Sequence, residues 1–130
     1  MSSLFPLILP ELPARMAQRL VDEHLLNKSE FWTPYPVPSV AVGEPSFDAD
    51  FVSRGIFRGS SWVNINWYLY WGLRAHGRFD VARALAHRTI TMVAGAGLRE
   101  CYGPYSGKGQ GAHQFAWSSL IVDLAHAEGL

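Results

Sequence analysis

The sequence is short of cysteine, of charge and of long apolar runs, and each shortage closes off a class of protein. Among 130 residues Cys101 is the single cysteine, so an internal disulfide is excluded and no cysteine-based zinc spacing exists. A lone thiol fits a reducing compartment. Charged residues make up 17%, eleven basic against eleven acidic, for a formal net charge of zero. No basic surplus points to nucleic acid, and no charge block suggests a tail. The one N-terminal apolar run, Leu4–Leu9, is interrupted by Pro6, ended by Pro10 and preceded by no Lys or Arg. It makes a poor signal peptide and is far too short for a membrane span. The expectation is a cytoplasmic protein with neither a nucleic-acid nor a membrane partner.

What the chain has in quantity is aromatic surface. Phe, Trp and Tyr account for 13%, with five Trp, and 48% of residues are hydrophobic. Trp and Tyr combine a flat apolar face with a polar edge, which suits a core, an interface or a carbohydrate surface.

Hydrophobic periodicity predicts four helices and no strand of more than a few residues, an all-α class. The first covers about Leu12–Leu26, with Pro13 tolerated in its first turn and Asn27 after it. The second covers about Ser61–His76 and is stopped by Gly77. The third covers about Val81–Ala94, with Asp80 as N-cap, Val81, Leu85, Ile90 and Val93 facing inward, and Gly95 and Gly97 ending it. The fourth covers about His113–Glu128, with Trp117, Leu120, Ile121 and Leu124 on one side.

Two long loops separate the helices. Residues 31–60 carry Pro34, Pro36, Pro38 and Pro45, which forbid a long helix. They also carry Phe31, Trp32, Tyr35, Val37, Phe47, Phe51 and Phe57, too apolar for a solvated linker. An ordered aromatic loop of that length is usually functional. The second loop, 98–112, contains RECYGPYSGKGQG. Sequential helix hairpins place alternate loops at one end of the assembly.

Several familiar motifs fail on spacing. Gly103 and Gly107 enclose three residues where a phosphate loop needs four, Gly109 follows Lys108 where Ser or Thr is required, and no strand precedes. GKGQG is not a dinucleotide fingerprint. His24, His76, His87, His113 and His126 form no close ligand pair, so no metal is expected. Ser60 and Ser61 lie in RGSSW rather than GxSxG.

Three segments remain: FWTPYPVPSV (31–40), FRGSSWVNINWYLYWGL (57–73) and RECYGPYSGKGQGAHQFAWSSLIVDL (99–124). Each mixes aromatic rings with polar groups. Sugars are held in this way, rings covering the apolar face and Arg, Asn, Gln or carboxylates taking the hydroxyls. Glycosidases add two carboxyl groups, one to protonate the leaving oxygen and one to activate water or attack carbon.

In this order the segments resemble glycoside hydrolase family 63 and its relatives, which include processing α-glucosidases and bacterial mannosylglycerate and glucosylglycerate hydrolases. The resemblance rests on Phe57-Arg58-Gly59-Ser60-Ser61-Trp62 with Asn66 beyond, on Glu100, Tyr102 and Pro104-Tyr105-Ser106-Gly107, and on Phe115 and Trp117 at the start of the last helix. FWTPYPVPSV looks typical of the bacterial glycerate-glycoside branch. The resemblance covers essentially all 130 residues as one domain, residues 1–130, and matches the C-terminal part of such enzymes.

It implies antiparallel helix hairpins forming an incomplete arc of an (α/α)6 barrel, with inverting hydrolysis of an α-glycosidic bond and no cofactor. Glu100 matches the general base. Arg58, Trp62, Asn66 and Trp117 match pocket positions, and Tyr35, Tyr102 and Gln114 follow from position. The paired acid would stand roughly 6.5–9.5 Å from the base, leaving room for the attacking water. Two departures stand out. Ser60 replaces the usual Pro, and the segment that carries the family's acidic Asp is absent. Nothing in the sequence places Asp48, Asp50 or Asp123 opposite Glu100 as a substitute. The isolated chain is therefore expected to be inactive, with an α-linked glycoside as substrate and the missing N-terminal part of the barrel, or a second copy, as partner. The alternative is a non-catalytic helical module that binds carbohydrate or protein.

Overall fold

A computed structural model describes residues 1–49 and 57–130; Asp50 and Phe51 lie outside them. The chain opens with a 3-10 helix, Ser2–Ile8. Its side chains recur every three residues, so Leu4 and Leu7 share one line, and both are fully buried. The first predicted helix is observed as α1, Ala14–Arg19, which widens into a π-helical stretch, Leu20–Leu25. There Leu26 N–H reaches back five residues to the Val21 carbonyl. Asn27 closes the helix, its carbonyl accepting from Glu30, Phe31 and Trp32.

Helix α2, Val63–Ala75, and helix α3, Phe79–Ala96, form the central hairpin. The inward positions of α2 are not all apolar: it buries Asn66 together with Val63, Ile65, Leu69, Tyr70, Gly72 and Leu73. Gly72 lets the first 3-10 helix lie directly on α2, for a Cβ there would come 2.9 Å from the Leu7 carbonyl carbon. Two expected boundaries differ. Asp80 lies in the first turn of α3 instead of capping it, because the helix already starts at Phe79. Gly95 lies inside α3, and Gly97, with φ 76°, ends it.

The stretch 98–112 is not an open loop. It holds an antiparallel pair, β1 (Arg99–Tyr102) and β2 (Gly109–His113). These strands are four and five residues long, and β2 is Gly-rich, so neither β-propensity nor alternation signals them. Because β2 runs through His113, the last helix begins later than expected. A 3-10 turn, Ala116–Leu120, leads into α4, Ile121–Glu128. Gly129 at φ 74° ends α4, and Leu130 N–H bonds the Ala125 carbonyl, the pattern of a Schellman cap.

Two buried clusters support this frame. The larger joins the N-terminal 3-10 helix, α1, the π stretch, α2 and the first half of α3. The smaller, Val63, Met92, Val93 and Tyr102, lies under the hairpin. Two acids fasten α4 to α2 and α3. Asp123 Oδ2 accepts from the indole N–H of Trp67 (2.6 Å) and of Trp71 (3.2 Å). Glu128, with a side chain only 5% exposed, accepts from Tyr70 OH at 2.7 Å and from Arg83 Nε at 3.1 Å. The Tyr70 hydroxyl bond, helped by Arg83 and opposed by burial, holds the Glu128 carboxyl below its ordinary value.

The loop 31–49 is ordered by α2. Asn66, fully buried, accepts the Val37 N–H on Oδ1 at 2.9 Å, and its Nδ2 donates to the Pro36 carbonyl at 2.6 Å and to Thr89 Oγ1 at 3.0 Å. One amide thus ties a Pro-rich loop to two helices.

Orphaning a buried polar group costs about 1–3 kcal/mol, and Asn66→Ala orphans two backbone groups. The variant is expected to lose at least about 2 kcal/mol of stability in urea unfolding; a loss within about 0.5 kcal/mol, the range of an ordinary surface change, refutes the strut role. For Glu128, a folded-state value below the unfolded one adds stability above the ordinary carboxylate range and loses it as pH falls through the folded-state value. Glu128→Gln should therefore melt below the parent at neutral pH, with the gap narrowing in acid; a gap that stays constant with pH contradicts the assignment.

Candidate functional site

The site is built where the three aromatic segments meet, at the N-terminal end of α2. Ser61 is extended and sits between Pro38 and Tyr102 in two antiparallel bridges. Its N–H donates to the Tyr102 carbonyl at 2.8 Å, and its carbonyl accepts the Tyr102 N–H at 2.9 Å. Its hydroxyl donates to the Tyr35 carbonyl at 2.6 Å. On the other side Ser39 N–H bonds the Ser60 carbonyl, and Ser39 Oγ accepts the Gly59 N–H. Helix α2 therefore begins only at Val63, two residues later than its periodicity suggests. Ser60, the departure from the usual Pro, has a use of its own. Its hydroxyl donates to Gln110 Oε1 at 2.8 Å, and Gln110 Nε2 donates to the Ala49 carbonyl at 3.0 Å.

Glu100 lies on β1 and is half-buried. The register places Arg99 opposite His113 and Cys101 opposite Gln110, so Glu100 faces two residues, Gly111 and Ala112. This is a β-bulge with glycine at φ 67°, a device that re-aims a side chain at a strand edge. Glu100 Oε2 accepts the Ala112 N–H at 3.0 Å. The backbone on either side of Glu100 is fixed. Leu98 accepts from Phe115 N–H, the Arg99 carbonyl accepts from Ser118 Oγ, and Tyr102 is bonded to Ser61.

The same ties align a row of rings. Phe57 stacks on Trp62 with centroids 4.5 Å apart, Trp62 lies 6.1 Å from Trp117, and Phe115 meets Trp117 edge-on at 5.2 Å. Phe57 at 48% and Trp117 at 45% exposure are open, while Trp62 between them is buried. The Trp62 indole N–H is buried without a hydrogen-bond partner among the described residues, although buried indole N–H groups usually find one. Phe57 (φ 64°) and Gln114 (φ 52°) are the two described non-glycine residues with left-handed backbone, and both adjoin this row. Such strain collects at ligand-binding positions.

The remaining expected site residues divide. Arg58 is half-buried and its Nε donates to the Ser46 carbonyl at 3.3 Å, on the loop side of the row. Gln114 is exposed beside Phe115. Asn66 is a correction: all its bonding is spent inside the protein, so it positions the 36–37 peptide and is withdrawn from direct sugar contact. Tyr102 is likewise withdrawn, being fully buried with its hydroxyl engaged by the Gly97 carbonyl, Arg99 N–H and Ser118 Oγ. Tyr35 packs at the opposite end of the hairpin. Its ring lies against Gly107, and it lines an open groove of about 440 Å³ with Met92, Ser106 and Lys108. Cys101 is buried beside Glu100, and loss of solvent pushes its thiol up to about 11, so it stays protonated. Asp123 is committed to two indoles on α2. Among the described residues no three His, Cys, Asp or Glu side chains gather as metal ligands.

Sequence reasoning missed the bulge and its partners, Gln110, Gly111 and Ala112. The available signal was GKGQG, whose glycines at alternating positions fit a hairpin strand packed closely against its neighbour.

Residues 1–118 match the family described as mannosylglycerate hydrolase MGH1-like glycoside hydrolase domain. A mannosylglycerate hydrolase of Thermus thermophilus is 31% identical over 101 residues, covering 75% of this chain and 23% of its own length. One from Rubrobacter radiotolerans is 36% identical over 75 residues, covering 57% and 17%. The crystal structure of a family 63 mannosylglycerate hydrolase from Thermus thermophilus in complex with glucose superposes with a TM-score of 0.82 at 28% identity, covering 95% of this chain and 30% of that one. The chain thus spans less than a quarter of the length of these curated relatives and less than a third of the solved enzyme. With a matching family description over nearly its whole length and a helical arc that superposes on a family 63 enzyme, the chain belongs to the MGH1-like glycoside hydrolase family.

Proposed function

We propose that this chain supplies the general base and one wall of the sugar subsite to an inverting hydrolase of α-glycosides. Glu100 takes a proton from the water that attacks the anomeric carbon. Its Oε2 is held by Ala112 N–H, while Oε1 carries no hydrogen bond among the described residues and is the oxygen open to that water. Phe57 and Trp117 present ring surface to the apolar side of the sugar, and buried Trp62, packed between them, sets their spacing. Arg58 and Gln114 take hydroxyls or a charged aglycone. The observation that carries this reading is the direct hydrogen bonding of the Glu100 strand to both ring-bearing segments, through Tyr102 at Ser61 and through Arg99 at Ser118. Glucosylglycerate and mannosylglycerate are the candidate substrates, by similarity to the Thermus and Rubrobacter mannosylglycerate hydrolases.

Hydrolysis also needs an acid for the leaving oxygen. We assign that group to further polypeptide, either the remainder of the barrel or a partner that carries it. Exposed Tyr68 (47%) and Trp71 (39%) on the outer side of α2 support such a partner. An amphipathic helix shows polar residues there, and one apolar on both sides is normally covered on both. The same exposed rings favour a second reading, a carbohydrate- or protein-binding module without turnover.

The deciding measurement is hydrolysis of α-mannosylglycerate and α-glucosylglycerate by the active enzyme, followed by proton NMR. Inversion releases the β-anomer first. Glu100→Gln is expected to lower kcat by about 10²–10⁴-fold, the contribution of a positioned proton acceptor. Retention of the parent's kcat by this variant, or initial release of the α-anomer, overturns the base assignment. Sugar binding with no hydrolysis in any assembly supports the second reading.

A further inference from the structure

Glu100 is served by a piece of backbone that nothing in its own segment announces. Two of the three glycines of GKGQG, Gly109 and Gly111, each lie under a β1 side chain. At Gly109 a Cβ would come 3.1 Å from the Cβ of Arg99, and at Gly111 a Cβ would come 2.7 Å from the Cβ and 3.0 Å from the Cδ of Glu100. A side chain at 111 would therefore occupy the place where the Glu100 carboxylate rests. Gly111 also has φ 67°, which L-residues seldom adopt. That backbone turn is what rotates the next amide, Ala112 N–H, onto Glu100 Oε2 at 3.0 Å. On the far side Arg99 Nη2 donates to the Gly111 carbonyl at 2.9 Å and fixes the bulge from the other edge.

We infer that Gly111 and Ala112 form the carboxylate seat of the site. Gly111 clears the space, Ala112 N–H binds Oε2, and Arg99 locks the bulge, so that Oε1 alone is left to face the reacting water. All three are positioning residues, acting through Glu100. The role in turnover rests on reading Glu100 as the general base; the seat itself does not. Glutamate has three rotatable bonds, and fixing one oxygen removes most of that freedom before substrate arrives. Preset geometry of this kind contributes to rate without adding a contact to the substrate.

The seat is read directly by hydrogen exchange followed by NMR on the ¹⁵N-labelled chain. The Ala112 amide is expected to be protected from exchange in the parent, and Glu100→Ala should remove that protection. Gly111→Ala should also remove it while the rest of the spectrum stays folded. Gly77→Ala is the control for backbone strain, because Gly77 has a similar φ of 72° with nothing within 4 Å of its would-be Cβ; it should keep the protection. Asparagine tolerates left-handed backbone better than alanine, so Gly111→Asn isolates the collision with Glu100 and should behave like Gly111→Ala. An Ala112 amide that exchanges freely in the parent, or protection that survives both substitutions at 111, overturns the seat even if those variants fold poorly.

Turnover separates the two readings. In the active enzyme Gly111→Ala is expected to lower kcat about 10–100-fold with KM held within about twofold, and Gly77→Ala to leave both in place. If Glu100→Gln retains the parent's kcat, the base assignment fails whatever Gly111→Ala does. If Glu100→Gln loses activity while Gly111→Ala keeps kcat within about twofold, the base stands and the positioning role falls.

Discussion

The structure depends on the two-sided pairing of Ser61. Its N–H and carbonyl are both taken by Tyr102, its hydroxyl by the Tyr35 carbonyl, and Pro38 is bridged on its other side. Three segments far apart in sequence become neighbours through one residue. Serine suits the position: a short side chain leaves room for strands on both sides, and its hydroxyl joins that of Thr33 in donating to the Tyr35 carbonyl of the loop. Because this pairing holds residue 61 in extended form, α2 starts only at Val63, and Trp62 is left outside the helix with its ring between Phe57 and Trp117.

Stability and site are thereby divided between different residues. Asn66 and Tyr102 are polar, lie on the segments that form the site, and resemble substrate-contacting residues in sequence. Both are fully buried and hydrogen-bonded within the protein. Their work is to hold the loop and the hairpin against α2 and α3. The open groups are fewer: the Glu100 carboxylate, the exposed edges of Phe57 and Trp117, Arg58 and Gln114. A rigid, internally satisfied second layer carrying a small number of open groups is what a binding site with preset geometry requires. At the other end, Glu128 and Asp123 fasten α4 to α2 and α3, so the 3-10 turn bearing Trp117 is anchored from below.

Much of this was legible in the residues. The helices α2 and α3 follow their apolar spacing, Gly77 and Gly97 separate them from what comes next, and the aromatic loops could be told from solvated linkers by composition. The family was recognisable because the order of the ring-bearing segments along the chain matters more than any single short motif. The hairpin was not legible, since Gly109 and Gly111 are poor strand formers suited to close approach to Arg99 and Glu100. The failed dinucleotide fingerprint GKGQG leads into a hairpin strand, where Gly109 and Gly111 make space. Nor could Asp80 be told from an N-cap, because the true start at Phe79 lies one residue earlier, a shift too small for apolar spacing to register.

The sequence by itself determined the helical class, the ordered loops and the family, since these follow from periodicity, composition and the order of short segments. Only the tertiary structure decided which polar residues are struts and which stay open. It also decided that the carboxylate rests on a bulge. The reason is that hydrogen-bond partners such as Ser61 with Tyr102, or Asn66 with Pro36, lie dozens of residues apart, and a chain read in order carries no trace of which buried donor will find which acceptor.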